Sequence, residues 1–85
     1  MLYGVDPDLN GFFKLFKKLI MEHSFLLKPE WSMGVNRLDE EDLIVVIDTI
    51  DAVFYLSFNL KDLYIQHLKD PSLTKTSIER ALKFL

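Results

Sequence analysis

The chain has no cysteine among its 85 residues, which excludes a disulfide framework, a thiolate zinc site and a thiol nucleophile. Glycine is almost as scarce. Three residues leave no material for a phosphate-cradling Gly-rich loop or a Gly-x-Ser-x-Gly nucleophile turn, and neither pattern occurs. The two histidines, His23 and His67, lack the Glu-x-x-His or His-x-x-x-His spacing that a di-iron or zinc site on bundle helices needs. His23 falls within the apolar face of the first helix and is read as a hydrogen-bonded core imidazole. No apolar run reaches about 18 residues free of charge, so a membrane-spanning helix is not expected. The opening MLYGVDPDLNG lacks a basic region followed by an apolar one, so no secretory leader is read there and the expected location is cytoplasmic.

What is present is bulk. Apolar residues make up 49% of the chain and charged residues 27%, a globular balance. The length allows one domain around one modest core, enlarged by eleven aromatics, seven of them Phe. The net charge of −3 is unevenly spread. Residues 1–36 are neutral, residues 37–68 carry −5 and residues 69–85 carry +2. Separate acidic and basic regions on a mildly acidic chain suit a protein partner better than nucleic acid.

The first helix is expected from Asp8, as cap, to about Leu27, ahead of Pro29. Its Phe and Leu residues face the core and Lys14, Lys17 and Lys18 face solvent, leaving Phe25 toward the lysine side as a contact residue. Residues 28–38 read as a connector in which Trp31 plugs the core. The central stretch 43–58, LIVVIDTIDAVFYLSF, is apolar at twelve of sixteen positions, with Asp48 and Asp51 set in its middle. Two strands, 43–47 and 52–58, around a turn would suit its Val and Ile. A tight turn, however, usually recruits Gly, Asn or Pro, and Asp-Thr-Ile-Asp has none. On a helical projection Glu41, Asp48, Asp51, Asn59, Asp62 and Gln66 gather within about a quarter of the circumference. The reading preferred on that ground is one long helix over residues 40–69, able to restart near 57–59, where Asn59 and Asp62 form a capping signature. A second signature, Thr76 with Glu79, announces a terminal helix over 77–85 with Ile78, Leu82 and Leu85 inward. The expected fold class is therefore all-α: a small bundle of three or four helices.

The run DTIDAVFYLS, with DEED upstream, resembles the second acidic motif of the all-α nucleotide pyrophosphohydrolases, the MazG and dimeric dUTPase superfamily. Residues 40–57 carry this resemblance, and Lys28, Trp31 and Ser32 are similar to a Lys-x-Trp-Ser element of the dUTPase branch. It implies an all-α fold with Mg²⁺ held by carboxylates on facing helices, activating water against a nucleotide phosphate chain. The ligand set it implies here is Glu22, Glu41, Asp48 and Asp51. The first helix should carry Glu-Glu-x-x-Glu, but this chain has only Glu22, followed three residues on by Phe25. That departure points to a related fold without catalysis.

Three functional expectations follow. The first is a non-enzymatic, regulatory protein-interaction protein, homodimeric and with no cofactor, of the kind used as a phage or mobile-element accessory. It would bind a protein partner through an acidic strip of Glu41, Asp48, Asp51, Tyr55 and Asp62. The alternative is the Mg²⁺-dependent pyrophosphohydrolase. The third is helix-turn-helix DNA binding through Lys75, Arg80 and Lys83.

Overall fold

The computed structural model describes residues 9–85. Helix α1 (Leu9–Glu22) leads through a single 3₁₀ turn (Ser24–Leu26) to strands β1 (Ser32–Arg37), β2 (Asp42–Asp48) and β3 (Val53–Asn59). Helices α2 (Leu60–Lys69) and α3 (Ser72–Lys83) complete the chain. The strands form one antiparallel meander in the order β1-β2-β3. The architecture is thus α+β, and the all-α helical bundle is overturned. The long helix over 40–69 does not exist. Only its last third, α2, is helical, while most of the expected connector at 28–38 is β1.

The physical cause of the error is a coincidence of periods. β2 and β3 each span seven residues with polar residues within two positions of their ends, and seven residues are also about two turns of an α-helix. Polar positions at successive strand ends therefore line up on a helical wheel. Apolar residues on both faces of β2 hide the alternation that would have betrayed the strand.

The turns use side chains in place of Gly or Pro. Between β1 and β2, Asp39 Oδ1 accepts the backbone N–H of Glu41 at 2.9 Å and of Asp42 at 2.8 Å. Arg37 ties the same loop down by donating to the carbonyls of Asp39 and Glu40. Between β2 and β3, Thr49 N–H bonds the Ala52 carbonyl at 2.8 Å, while Thr49 Oγ1 accepts from Ala52 N–H at 2.9 Å. Local side-chain bonds of this type fold a chain without special backbone angles.

The register fixes which side chains share a face. Leu43 lies opposite Phe58 and Arg37, Val45 opposite Leu56 and Val35, and Ile47 opposite Phe54 and Met33. Leu43, Val45, Ile47 and Val35 are buried beneath the helices. Against them pack Phe12, Phe16 and Ile20 from α1, Leu60 and Leu63 from α2, and Ile78 and Leu82 from α3, in one hydrophobic core. Phe16 meets Phe58 edge-on at 5.3 Å, and Phe12 meets Tyr64 likewise at 5.3 Å. Trp31 packs against the core's margin with Lys28 Nζ 5.6 Å from its ring centre.

Helix boundaries follow local chemistry. α1 stops at Glu22, five residues before the expected end, and the expected cap Asp8 lies outside the described residues. Asn59 caps α2 through Oδ1, which accepts Asp62 N–H at 2.9 Å, where the capping signature places a helix start. α3 begins at Ser72, earlier than expected, because Asp70 Oδ1 accepts from both the N–H and the hydroxyl of Ser72. Thr76 is therefore inside the helix, donating to the Ser72 carbonyl. His23 is a buried imidazole whose Nδ1 lies 2.7 Å from the Leu19 carbonyl. No helix among the described residues is long and apolar enough to cross a membrane.

Candidate functional site

All three helices cover the same face of the sheet, and the other face stays open among the described residues. Alternation along β2 sends Ile44 and Val46 to that open face, where both are half-buried by their strand neighbours alone. Across the strands, Val46 sits between Gly34 and Tyr55, and Ile44 between Asn36 and Ser57. A Cβ placed on Gly34 would meet nothing within 4 Å, so the row Gly34–Val46–Tyr55 is unobstructed. Tyr55 is 64% exposed and Val53, on the same face, 44%. The result is a small apolar centre with an aromatic at its side.

Carboxylates frame this centre at both ends. At one end Asp39, Glu40, Glu41, Asp42 and Asn59 line a shallow polar cleft. Two of its acids already have work within the fold. Asp39 holds the β1–β2 turn, and Asp42 Oδ1 accepts from Asn59 Nδ2 at 3.3 Å. The N–H groups of Glu41 and Asp42, with Arg37 nearby, hold the Asp39 carboxyl below the usual carboxylate range. At the other end, Asp48 closes β2 and Asp51 stands at the tip of the β2–β3 turn, both exposed. Ile50 beside it is 79% exposed.

The strip of Glu41, Asp48, Asp51, Tyr55 and Asp62 is consequently not one helical stripe. Glu41 and Asp62 share one end of the sheet, since the Leu60 N–H that opens α2 bonds the Glu41 carbonyl. Asp48 and Asp51 sit at the opposite end, about 20 Å along an extended strand, with Tyr55 between. Glu22, at the end of α1, joins neither group. The four carboxylates expected to hold Mg²⁺ are not brought together, and no group of three or more His, Asp or Glu among the described residues is arranged to hold a metal ion. The segment resembling the pyrophosphohydrolase motif lies on β2, the turn and β3 instead of a helix.

In the third set, Lys75, Arg80 and Lys83 are exposed on α3, whose buried side carries Thr74, Ile78 and Leu82. Thr74 Oγ1 is 2.9 Å from His67 Nδ1, so this histidine ties α2 to α3. Arg80 borders an open groove of about 370 Å³ between β3 and the end of α3, with Leu56, Ser77, Ala81, Phe84 and Leu85. Phe25 is 74% exposed and stacks on His23 with ring centres 5.8 Å apart.

Val46 and Val53 were missed as surface residues because a helical wheel assigns them to the core, while Ile44 falls with Tyr55 on the strip of acids and is hidden there as one apolar residue among charges. The signal that could have found them is the density of β-branched residues in LIVVI, which favours a strand and hence two opposite faces. Comparison with known proteins finds no matching family model, no matching curated protein and no matching solved structure.

Proposed function

We propose that this chain is a small regulatory protein-interaction module that docks a protein partner on the open face of its sheet. The observation that carries the reading is the bare row Gly34–Val46–Tyr55, beside Ile44, on a sheet whose other face packs against the helices. An apolar centre within a polar margin is the anatomy of a protein interface. The margin here is acidic at both ends, Glu40 and Glu41 at one and Asp48 and Asp51 at the other, so the fitting partner has an apolar knob flanked by basic side chains. The acidic residues act in this reading as two separate rims, which steer and orient the partner while Ile44, Val46 and Tyr55 supply the buried area.

The test is site-specific photocrosslinking from position 46, with position 17 on the solvent side of α1 as control. The protein crosslinked from position 46 is identified, purified and titrated. Its affinity should fall at least about tenfold for Val46→Glu and for the pair Asp48→Lys with Asp51→Lys, and stay unchanged for Lys17→Glu. Crosslinks from position 17 alone, or equal affinity for all variants, would overturn the reading.

A further inference from the structure

Among the described residues, the outer edge of β3 is the least protected feature of the fold. In an antiparallel ladder, directly opposite residues alternate between pairs that exchange hydrogen bonds and pairs that do not. The bonds from Thr49 N–H to the Ala52 carbonyl and from Leu60 N–H to the Glu41 carbonyl fix that alternation at both ends of the β2–β3 pair. Phe54, Leu56 and Phe58 therefore bond to β2. Val53, Tyr55 and Ser57 turn their N–H and C=O groups to the free edge, where no described residue meets them.

Native proteins blunt such edges with lysine, proline, a bulge or a covering element. From Ala52 to Leu60 this chain has no charged residue, no Pro and no Gly, and the register runs unbroken over seven pairs. The edge is also apolar. Phe54 is 42% exposed, and beside it the groove between β3 and α3 is lined by Leu56, Ala81 and a 91% exposed Phe84. The other edge strand, β1, differs in every respect: it is shorter, carries Gly34, and ends on Arg37, which is anchored to Asn10 of α1 and to its own turn.

We infer that β3 pairs antiparallel with β3 of a second copy, making a two-fold dimer with a continuous six-stranded sheet. Self-complementarity selects this occupant. With Leu56 on the axis, Tyr55 faces Ser57 of the second copy and Val53 faces its Asn59, so every outward donor and acceptor meets an outward partner. On the helix-covered side Phe54 meets Phe58 of the second copy, and β3 itself brings no charged residue to the seam, Arg80 standing at the border of the groove beside Leu56. The exposed parts of Phe54 and Phe84, their apolar neighbours on the helix-covered side and the paired strand backbone offer on the order of 500 Å² per copy, about 1,000 Å² in all, the lower bound of a specific interface. The open face survives in this dimer, so the pairing stands or falls independently of the partner proposed above.

Sedimentation and light scattering on the purified chain measure the outcome. The chain of 10.0 kDa should run as a dimer of about twice that mass. Tyr55→Pro removes an edge donor without touching the β2 ladder, and Phe84→Asp charges the groove; each should return the mass to that of a monomer with the far-ultraviolet spectrum unchanged. Asn36→Lys on β1 should leave the dimer intact. Amide exchange supplies a second readout that holds even where Tyr55→Pro fails to fold: the Tyr55 and Ser57 amides should be protected in the wild type and exchange freely in Phe84→Asp. A wild-type monomer at about 100 µM, a dimer that persists in the folded edge variants, or unprotected Tyr55 and Ser57 amides would overturn the pairing.

Discussion

The two faces of β2 are built from nearly the same residues and meet opposite fates. Leu43, Val45 and Ile47 are fully buried beneath three helices. Ile44 and Val46, between them in sequence, look out over a face that no described element covers. Apolarity alone therefore does not say which face is core. The helices choose, through the aromatic side chains of α1 and the anchoring of α2 directly to the end of β3, and the face they leave is the one available for binding.

The largest test of this contrast is truncation on either side. Ile47→Ala should cost about 2–5 kcal/mol in urea unfolding, because it opens a cavity that the packed layer cannot fill. Ile44→Ala should cost well under half as much, since its side chain is already half in water. Equal costs would mean that the open face is covered. A smaller effect is expected at Asn59, an open-face residue whose side chain serves the helical layer by capping α2. Asn59→Ala should lower stability by about 1 kcal/mol, and Asn59→Ser should restore most of it.

The smallest effect lies in the turn that sets the register. The Asp39 carboxyl is held below its ordinary value of 3.8 by the N–H groups of Glu41 and Asp42. A depressed pKa adds stability that is complete above the unfolded value and vanishes as pH falls through the folded one. The difference in melting temperature between wild type and Asp39→Ala should thus be largest above about pH 5 and shrink as the pH falls below the ordinary carboxylate range. A difference that grows on acidification would contradict this role.

These contrasts also show how far the sequence could be read. The amphipathic α1, the capping role of Asn59, the core imidazole of His23 and the inward Ile78 and Leu82 were all legible, because each rests on contacts within one helix or one turn. The sheet was not. Its turns are closed by Asp39 and Thr49 side chains and carry no Gly or Pro mark, and its central strand is apolar on both faces, which erases period-two alternation. The acidic strip was likewise an artefact of strand length matching two helical turns. What survives of it is Tyr55 at the centre of the open face and the acids divided between its ends. Glu22, whose place in a metal set came only from the resemblance, is far from that face in the chain and joins no cluster.

The central claim is that residues 43–48 form a strand with one buried and one bare face. Urea unfolding of Val45→Asp beside Val46→Asp tests it most directly. Val45→Asp places an unpaired carboxylate in the core and should abolish cooperative unfolding. Val46→Asp, one residue away, should unfold cooperatively within about 1 kcal/mol of the wild type. Loss of the fold in both variants, or in Val46→Asp alone, would contradict the account.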